Sequence, residues 1–237
     1  CIDGIPAAKP ATAVAADARL TVSGDDERRW VSRGAHKLIG ALDAFGLDVA
    51  GRRCLDAGAS TGGFTEVLLD RGAAHVVAVD VGYGQLAWSL RTDQRVTVMD
   101  RTNARELTAE AIGGPVDLIV ADLSFISLTT VLPALIACAK PDADIVPMVK
   151  PQFEVGKDRV GPGGVVSDPR LRAEAIRTVA ERAVELHWHP VAVTASPLPG
   201  PSGNVEYFLR LRAQHDAALQ GAALDEAICR AVAEGPQ

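Results

Sequence analysis

The strongest constraint on the fold of this 237-residue chain is an alternation of short apolar segments with segments of helical spacing. Seven apolar segments have the length and composition of β-strands, at residues 53–56, 75–80, 96–99, 116–122, 145–150, 190–195 and 205–211. Helical segments separate several of them, at residues 64–69, 128–139 and 169–186. The alternation predicts an α/β, Rossmann-like fold in which a mostly parallel, seven-stranded sheet carries helices on both faces.

Two further helices are predicted at the ends of this region. Ser32 has a side chain typical of a helix N-cap, and the helical spacing that follows it contains Lys37 and stops at Gly46. A last helix is predicted over residues 216–233, where apolar residues at helical spacing favour packing on the sheet.

The first residues of the chain differ in composition from the rest. Residues 1–24 are rich in Ala and Pro, and the polar residues that follow them are typical of a linker. We therefore expect a separate N-terminal segment over residues 1–24, a linker over residues 25–32, and one main domain over residues 33–237.

The charge of the chain limits how it can bind nucleic acid. A formal net charge of −6 disfavours binding through bulk electrostatic attraction to phosphates. This net charge does not exclude a basic face on an acidic body. Basic residues cluster near the first predicted helix, at Arg28, Arg29, Arg33, His36 and Lys37.

Composition disfavours two other classes of protein. Charged, proline or glycine residues interrupt every apolar stretch before the roughly 20 residues that a membrane span requires. The four cysteines, Cys1, Cys54, Cys138 and Cys229, are far apart and have no histidine nearby at zinc-ligand spacing. We therefore expect no membrane span, no metal site, and the free thiols of a reducing compartment, by default the cytoplasm.

A glycine-rich loop follows the first predicted strand and precedes a helix. Small residues at such a turn let the backbone approach a ligand closely at the N-terminus of the helix. Dinucleotide-binding enzymes use a similar Gly-x-Gly-x-x-Gly loop, so the glycines alone do not identify the cofactor. The candidate cofactor-binding residues here are Asp56, Gly58, Ala59, Ser60, Thr61, Gly62, Gly63 and Phe64.

Three aspartates at successive strand ends narrow the choice of cofactor. Asp56 stands two residues before the first glycine, where it would repel a pyrophosphate but attract the ammonium group of S-adenosylmethionine (SAM). Asp80 ends the second strand, where Rossmann-like sites place an acid that binds ribose hydroxyls. Asp100 follows the third strand and is a candidate partner for the adenine amino group. Together they favour SAM, although aspartates at strand ends also cap helices or stabilise turns.

Four motifs in this sequence together resemble the TlyA family. They are DAGASTGGFT at residues 56–65, DLSFIS at 122–127, VKPQFEV at 149–155 and SGNVEYF at 202–208. That family comprises ribosomal RNA 2′-O-methyltransferases, also labelled haemolysins, in which an FtsJ-like catalytic domain follows an S4 RNA-binding domain. The resemblance runs from about residue 30 to about residue 212.

The resemblance implies a function and a set of catalytic residues. It implies transfer of a methyl group from SAM to a ribose 2′-hydroxyl of ribosomal RNA, on a cytidine, with ribosomal subunits as the partner. Residues 1–24 would then be the last part of an S4 domain, and Trp30 and Val31 would belong to the interdomain linker. The Lys-Asp-Lys-Glu tetrad of FtsJ-like enzymes corresponds to Lys37, Asp122, Lys150 and Glu206.

The tetrad suits methyl transfer to an alcohol. A ribose hydroxyl is a poor nucleophile until its proton is removed or shared, so a positioned base is needed. Lys150, which follows the apolar residues 145–149, is the best candidate for that base once it has lost its own proton. We expect Asp122 and Glu206 to orient the lysines and compensate their charge, and Asp122 also to help position the sulfonium of SAM.

The sequence leaves three other functions open. The motif Asp122-Leu-Ser-Phe125 resembles the Asp/Asn-Pro-Pro-aromatic loop of enzymes that methylate the exocyclic amine of a base, although its prolines are missing. An NAD-binding oxidoreductase is a second alternative, against which Asp56 argues. A membrane-lytic role, suggested by the haemolysin label, is the third.

Two loops and three aromatic residues are candidates for contact with RNA. The loops span residues 152–168 and 196–203, and either could close over a substrate or be a passive connection. Trp30, Trp88 and Phe125 could stack on a base or belong to the core.

Overall fold

The structure is a computed structural model that describes Ala18, residues 30–213 and residues 217–236. The predicted remnant of an S4 domain at residues 1–24, apart from Ala18, and residues 25–29 of the predicted linker lie outside the described residues. The structure therefore concerns the predicted main domain and the last residues of the linker.

Seven strands form a single sheet within the described residues, as the alternation predicts. They are β1 (Arg53–Ala57), β2 (His75–Val79), β3 (Val96–Met99), β4 (Val116–Ala121), β5 (Ala139–Val149), β6 (His189–Ala195) and β7 (Tyr207–Arg212). Their order across the sheet is β3-β2-β1-β4-β5-β7-β6. The first five strands pair in parallel, whereas β7 is antiparallel to both β5 and β6. The sheet is therefore mostly parallel, and the strand that comes last in the sequence lies between β5 and β6.

Helices connect these strands and cover the sheet. They are α1 (Gly34–Phe45), α2 (Gly63–Asp70), α3 (Trp88–Arg91), α4 (Leu128–Ala137), α5 (Pro151–Glu154), α6 (Pro169–Glu185) and α7 (Gly221–Glu234). Gly46 ends α1 with a left-handed φ of 55°, a conformation that favours glycine, and its N–H donates to the Asp43 carbonyl.

Some predicted boundaries were wrong. Arg33, not Ser32, occupies the N-cap position of α1, and no side chain caps the helix there. Ser32 instead packs against α2, where a Cβ on Gly63 would lie 2.2 Å from the Ser32 Oγ. β5 begins at Ala139 rather than at residue 145, and β7 begins at Tyr207 rather than at residue 205.

Both faces of the sheet are buried. Successive residues of a strand point to opposite faces, and Cys54 and Leu55 on β1 are both fully buried. Helices α4, α6 and α7 cover one face, and α1 and α2 cover the other. Burial on both sides explains why the strands have nearly continuous apolar sequences. Across the described residues, we find no helix with both the length and the apolar character that a membrane crossing needs.

The carboxyl ends of the parallel strands meet at one edge of the sheet. β1, β4 and β5 are neighbours, so the residues that follow them lie side by side. β7 runs in the opposite direction, with Tyr207 paired to Val149 of β5, so its first residues lie at the same edge. This topology brings Asp122, Lys150 and Glu206 together from three different parts of the chain.

Candidate active site

The four residues of the predicted tetrad line one cleft at this edge of the sheet. A first cavity, of about 330 Å³, is lined by Lys37, Asp122, Lys150 and Glu206 together with part of the glycine-rich loop. Lys37 comes from α1, Asp122 and Lys150 directly follow β4 and β5, and Glu206 directly precedes β7. The geometry thus unites residues that are up to 169 positions apart in the sequence.

Lys150 is held by two partners from the segment that follows β4. Its Nζ lies 2.6 Å from Asp122 Oδ1 and donates a hydrogen bond to Ser124 Oγ at 2.9 Å. The residue is only 9% exposed. The contact with Asp122 is an ion pair without hydrogen-bond geometry, so Ser124 is the hydrogen-bond acceptor of Lys150 among the described residues. An ammonium group has three hydrogens, so Lys150 can still donate to a group that enters the cavity.

Lys37 and Glu206 form a second pair that is more deeply buried. The distance between Lys37 Nζ and Glu206 Oε2 is 2.5 Å, and the two residues are 7% and 1% exposed. Gly200 makes room for this carboxylate, since a Cβ at position 200 would lie 2.7 Å from Glu206 Oε1. Each lysine of the cleft therefore has its own carboxylate, so these two pairs add no net charge to the cleft, whose lining also includes Arg33.

A second cavity, of about 460 Å³, adjoins the first. It is lined on one side by Gly58, Ser60 and Asp80, and it shares Gly58, Ser60, Asp122 and Ser124 with the first cavity. This volume is in the range of small-molecule sites in proteins. A ligand in the second cavity would therefore contact a ligand in the first at the end of β4.

The glycine-rich loop takes the conformation that its sequence predicts. Gly58 has a φ of 87°, and a Cβ on it would lie 2.3 Å from the Asp122 carbonyl oxygen, so only glycine fits. Asp80 holds the loop, because the N–H groups of Ser60 and Gly82 donate to its two carboxylate oxygens at 2.8 and 2.7 Å. Asp80 thus lines the second cavity, as its position after β2 predicts.

The other residues of this loop divide into two groups. Ala59, Thr61, Gly63 and Phe64 line the first cavity. Gly62 faces inward instead, where a Cβ would lie 2.2 Å from Leu90 Cδ1, so it serves the packing of the loop against α3.

Asp56 lines neither cavity. It is fully buried on β1, where Thr65 Oγ1 donates to its Oδ2 at 2.7 Å, and its Oδ1 has no hydrogen-bond partner among the described residues. Burial raises the pKa of this carboxyl group to about 7. Asp56 therefore faces neither cavity, and its contact with the ammonium group of a cofactor stays a prediction.

Asp100 also lies away from the second cavity. Its carboxylate is 3.0 Å from Arg91 Nη1 and accepts a hydrogen bond from the Gly84 N–H at 3.2 Å. The hydrogen bond from Arg91 lowers the pKa of Asp100. Thr102 and Asn103, which the sequence analysis did not single out, line the cavity where an adenine-binding residue was expected.

Ser124 and Phe125 extend the site beyond the tetrad. Ser124 lines both cavities and binds Lys150, but one serine between apolar residues gives no signal of this role in the sequence. Phe125 is 91% exposed and has a left-handed φ of 64°, which is uncommon for an aromatic residue. Its ring centroid lies 5.2 Å from that of Phe153. Trp88 is exposed as well, and Trp30 is half-buried.

The two candidate loops are joined by one buried side chain. Asn204 Oδ1 accepts a hydrogen bond from the Val166 N–H at 2.9 Å, and its Nδ2 donates to the Gly164 carbonyl at 2.8 Å. The segment over residues 152–168 contains α5 and two short 3-10 turns, and Val166 is buried. Asn204 thereby ties this segment to the turn that delivers Glu206.

Comparisons with known proteins agree with this geometry. The sequence model of the FtsJ-like methyltransferase family matches residues 30–213. The chain is 74% identical over 235 residues to the 16S/23S rRNA (cytidine-2′-O)-methyltransferase TlyA of Mycobacterium tuberculosis, an alignment that covers 99% of this chain and 88% of that protein. It is 42% identical over 204 residues to YqxC of Bacillus subtilis, a proposed rRNA methyltransferase, with 86% of this chain and 72% of that protein covered.

A solved structure shares the fold in detail. The crystal structure of a proposed hemolysin from Lactococcus lactis matches with a TM-score of 0.81 and 39% identity, over 87% of this chain and 99% of that one. The family match covers most of the chain, and the identity to TlyA extends over nearly its whole length. The chain therefore belongs to the FtsJ-like methyltransferases and, within them, to the TlyA family.

Proposed function

We propose that this protein transfers the methyl group of SAM to the 2′-hydroxyl of a cytidine ribose in ribosomal RNA. The observation that carries the proposal is the position of Lys150. This buried lysine is held by Asp122 and Ser124 in the first cavity, and both partners also line the second cavity. This position supports a role for Lys150 as the base, beside the junction at which a methyl donor and an alcohol would meet.

The second cavity fits SAM better than a nucleotide that carries phosphates. None of its lining residues is Arg or Lys, so it offers no cation to a pyrophosphate, whereas Asp80 and Asp122 suit a ligand with a sulfonium and an ammonium group. Gly58, Ser60, Asp80 and Asn103 would hold the cofactor, which supplies an electrophilic methyl group when bound. Together with the family assignment, this disfavours the NAD-binding alternative.

The residues of the first cavity have different roles in activating the ribose hydroxyl. Lys150, once neutral, accepts the proton of the ribose hydroxyl on the lone pair of its nitrogen, while its contacts with Asp122 and Ser124 keep it in the cavity. Lys37, fixed by Glu206, lines the same cavity, where it can bind an oxygen of the nucleotide. Most of the acceleration comes from the alignment of the hydroxyl with the methyl group.

RNA is the substrate that the surroundings of the first cavity favour. Arg33, Lys37 and Lys150 line it, although the chain as a whole has a net charge of −6. The printed name of the mycobacterial relative specifies cytidine in 16S and 23S rRNA as its target. We extend that target to this chain, with ribosomal subunits as the partner and the cytoplasm as the location. Methylation of a base amine has less use for Lys150, because it requires no deprotonated alcohol.

The test is methylation of unmodified ribosomal subunits with SAM, followed by digestion and mass spectrometry of the nucleosides. We expect 2′-O-methylcytidine with the wild-type protein and none with Lys150→Ala. Lys140→Ala is the matched control, because Lys140 lies on β5, the strand that precedes Lys150, but pairs with Asp117 and lines neither cavity. A methyl group on the base would contradict the proposal, as would full activity of Lys150→Ala.

A further inference from the structure

A carboxylate that belongs to neither cavity joins the two segments that carry the catalytic groups. Glu154, at the end of α5, accepts a hydrogen bond from Ser127 Oγ at 2.6 Å through Oε2 and from the Leu128 N–H at 2.9 Å through Oε1. The first segment, residues 122–128, contains Asp122 and Ser124. The second, residues 150–154, begins with Lys150 and ends with Glu154 itself.

We propose that Glu154 is a positioning residue for methyl transfer, whose carboxylate fixes the segment 122–128 against the segment 150–154 and so sets Asp122 and Ser124 against Lys150. The proposal rests on the proposed function for its role in catalysis. Its structural part, the hold on Lys150, concerns this chain alone.

Capping of α4 does not by itself explain Glu154. Ser127 already caps that helix, because its Oγ accepts a hydrogen bond from the Thr129 N–H at 3.1 Å. The Glu154 carboxylate adds a second set of bonds, at the cost of removing a charge from water, and this burial raises its pKa. The Glu154 carboxylate, which comes from another segment, therefore bonds to the start of α4 although Ser127 already caps that helix.

The other contacts between the two segments are poorly suited to fix their distance. The Phe125–Phe153 contact involves a ring that is almost wholly exposed. The attraction between Lys150 and Asp122 depends on the charge of the lysine, which changes when the lysine gains or loses a proton. The bonds of Glu154 do not involve reacting groups, so they can hold the segments while the contacts of Lys150 change.

The experiment compares Glu154→Gln with the wild type in two measurements. The first is the single-turnover rate of methyl transfer at saturating SAM and ribosomal subunits, with SAM affinity measured separately. The second is acylation of lysines by acetic anhydride in the protein alone, quantified by mass spectrometry as the ratio of Lys150 to the more exposed Lys140. Leu135→Val is the control, because it weakens the buried packing of α4 without touching these hydrogen bonds.

We expect Glu154→Gln to slow the transfer step about tenfold or more, with little change in SAM affinity, because a small displacement of the base is costly. Acylation of Lys150 relative to Lys140 should rise severalfold, and Leu135→Val should change neither quantity. Ser127→Ala removes one hydrogen-bond donor to the Glu154 carboxylate and should shift both quantities in the same direction. It replaces Glu154→Gln as the test variant if Glu154→Gln does not fold.

A loss of thermal stability with either quantity unchanged would overturn the proposal, since Glu154 would then be a structural residue only. If the wild-type protein methylates no ribose hydroxyl, the proposed function fails. The acylation ratio still decides in that case whether Glu154 holds Lys150.

Discussion

Asp122 and Lys150 meet across the ends of two neighbouring parallel strands, with 2.6 Å between the carboxylate Oδ1 and the ammonium Nζ. Neither residue could form this contact through local structure, because α4 and β5 separate them in the sequence. The contact depends on the register of β4 and β5, in which Ala121 pairs with Pro147. The contact between these two side chains therefore depends on how the strands are arranged at this edge of the sheet.

The pair of Lys37 and Glu206 gives a prediction about stability. Glu206→Leu leaves a buried lysine without its carboxylate, which should lower the free energy of unfolding by roughly 3–5 kcal/mol. The double variant Lys37→Met, Glu206→Leu should recover most of that loss but not the activity. Urea unfolding monitored by circular dichroism measures the first effect, and methyl transfer measures the second. Equal stability of the single and double variants would contradict a buried ion pair.

The buried carboxyl group of Asp56 predicts how stability depends on pH. Burial raises its pKa from 3.8 to about 7, so between these values the folded protein keeps a proton that the unfolded chain has lost. Its contribution to stability should therefore fall as the pH rises through this range and level off above pH 7.

Asp56→Asn should remove that dependence. At pH 8 the variant should be more stable than the wild type, by at most about 4 kcal/mol, whereas at pH 4 the two should be nearly equal. Thermal unfolding at a series of pH values measures the difference. An Asp56→Asn variant whose stability follows the wild type at every pH would show that the carboxyl group is ionised throughout.

Phe125 predicts a separation between folding and RNA recognition. Because its ring is almost wholly exposed, Phe125→Ala should leave thermal stability unchanged, while losing a stacking contact should lower kcat/KM for RNA about tenfold. Trp88→Ala is the matched control, since Trp88 is 77% exposed but lines neither cavity. Equal losses in the two variants would argue against a specific role for Phe125.

Gly58 predicts a local steric effect on cofactor binding. Gly58→Ala places a methyl group against the Asp122 carbonyl in a left-handed conformation, so we expect a loss of at least about 1 kcal/mol in stability and weaker SAM binding. Gly46→Ala has a similar backbone conformation but open space around it, and it should lose stability without losing SAM affinity. Calorimetric titration with SAM distinguishes the two variants.

Much of the fold follows from the sequence, because burial on both faces gives the central strands β1, β2 and β4 nearly continuous apolar sequences. The ends of the predicted strands also indicate Asp56, Asp80 and Asp100 as candidate site residues, and of these three Asp80 lines a cavity. The insertion of β7 between β5 and β6 has no such local signal, because pairing partners are chosen by tertiary packing. The tetrad as a set came from the resemblance to a known family.

The finer features of the site escape sequence analysis for a related reason. Ser124 contributes through its hydrogen bond with Lys150, and Asp100 pairs with Arg91. Neither contact follows from a fixed spacing along the chain. Ser32 has the residue type of a cap but packs against Gly63 instead. Residue type predicts what a side chain can do, while the choice among its possible partners is made by the fold.

The place of β7 in the sheet has a consequence for biosynthesis. A ribosome releases β6 before β7, yet β6 pairs with the sheet only through β7, so β6 must wait unpaired until β7 has emerged. The glycine-rich loop and its neighbouring strands can assemble earlier, from contacts closer in the sequence. A nascent chain would thus be able to form the second cavity first, and would complete the first cavity only when Glu206 and the strand β7 that follows it are in place.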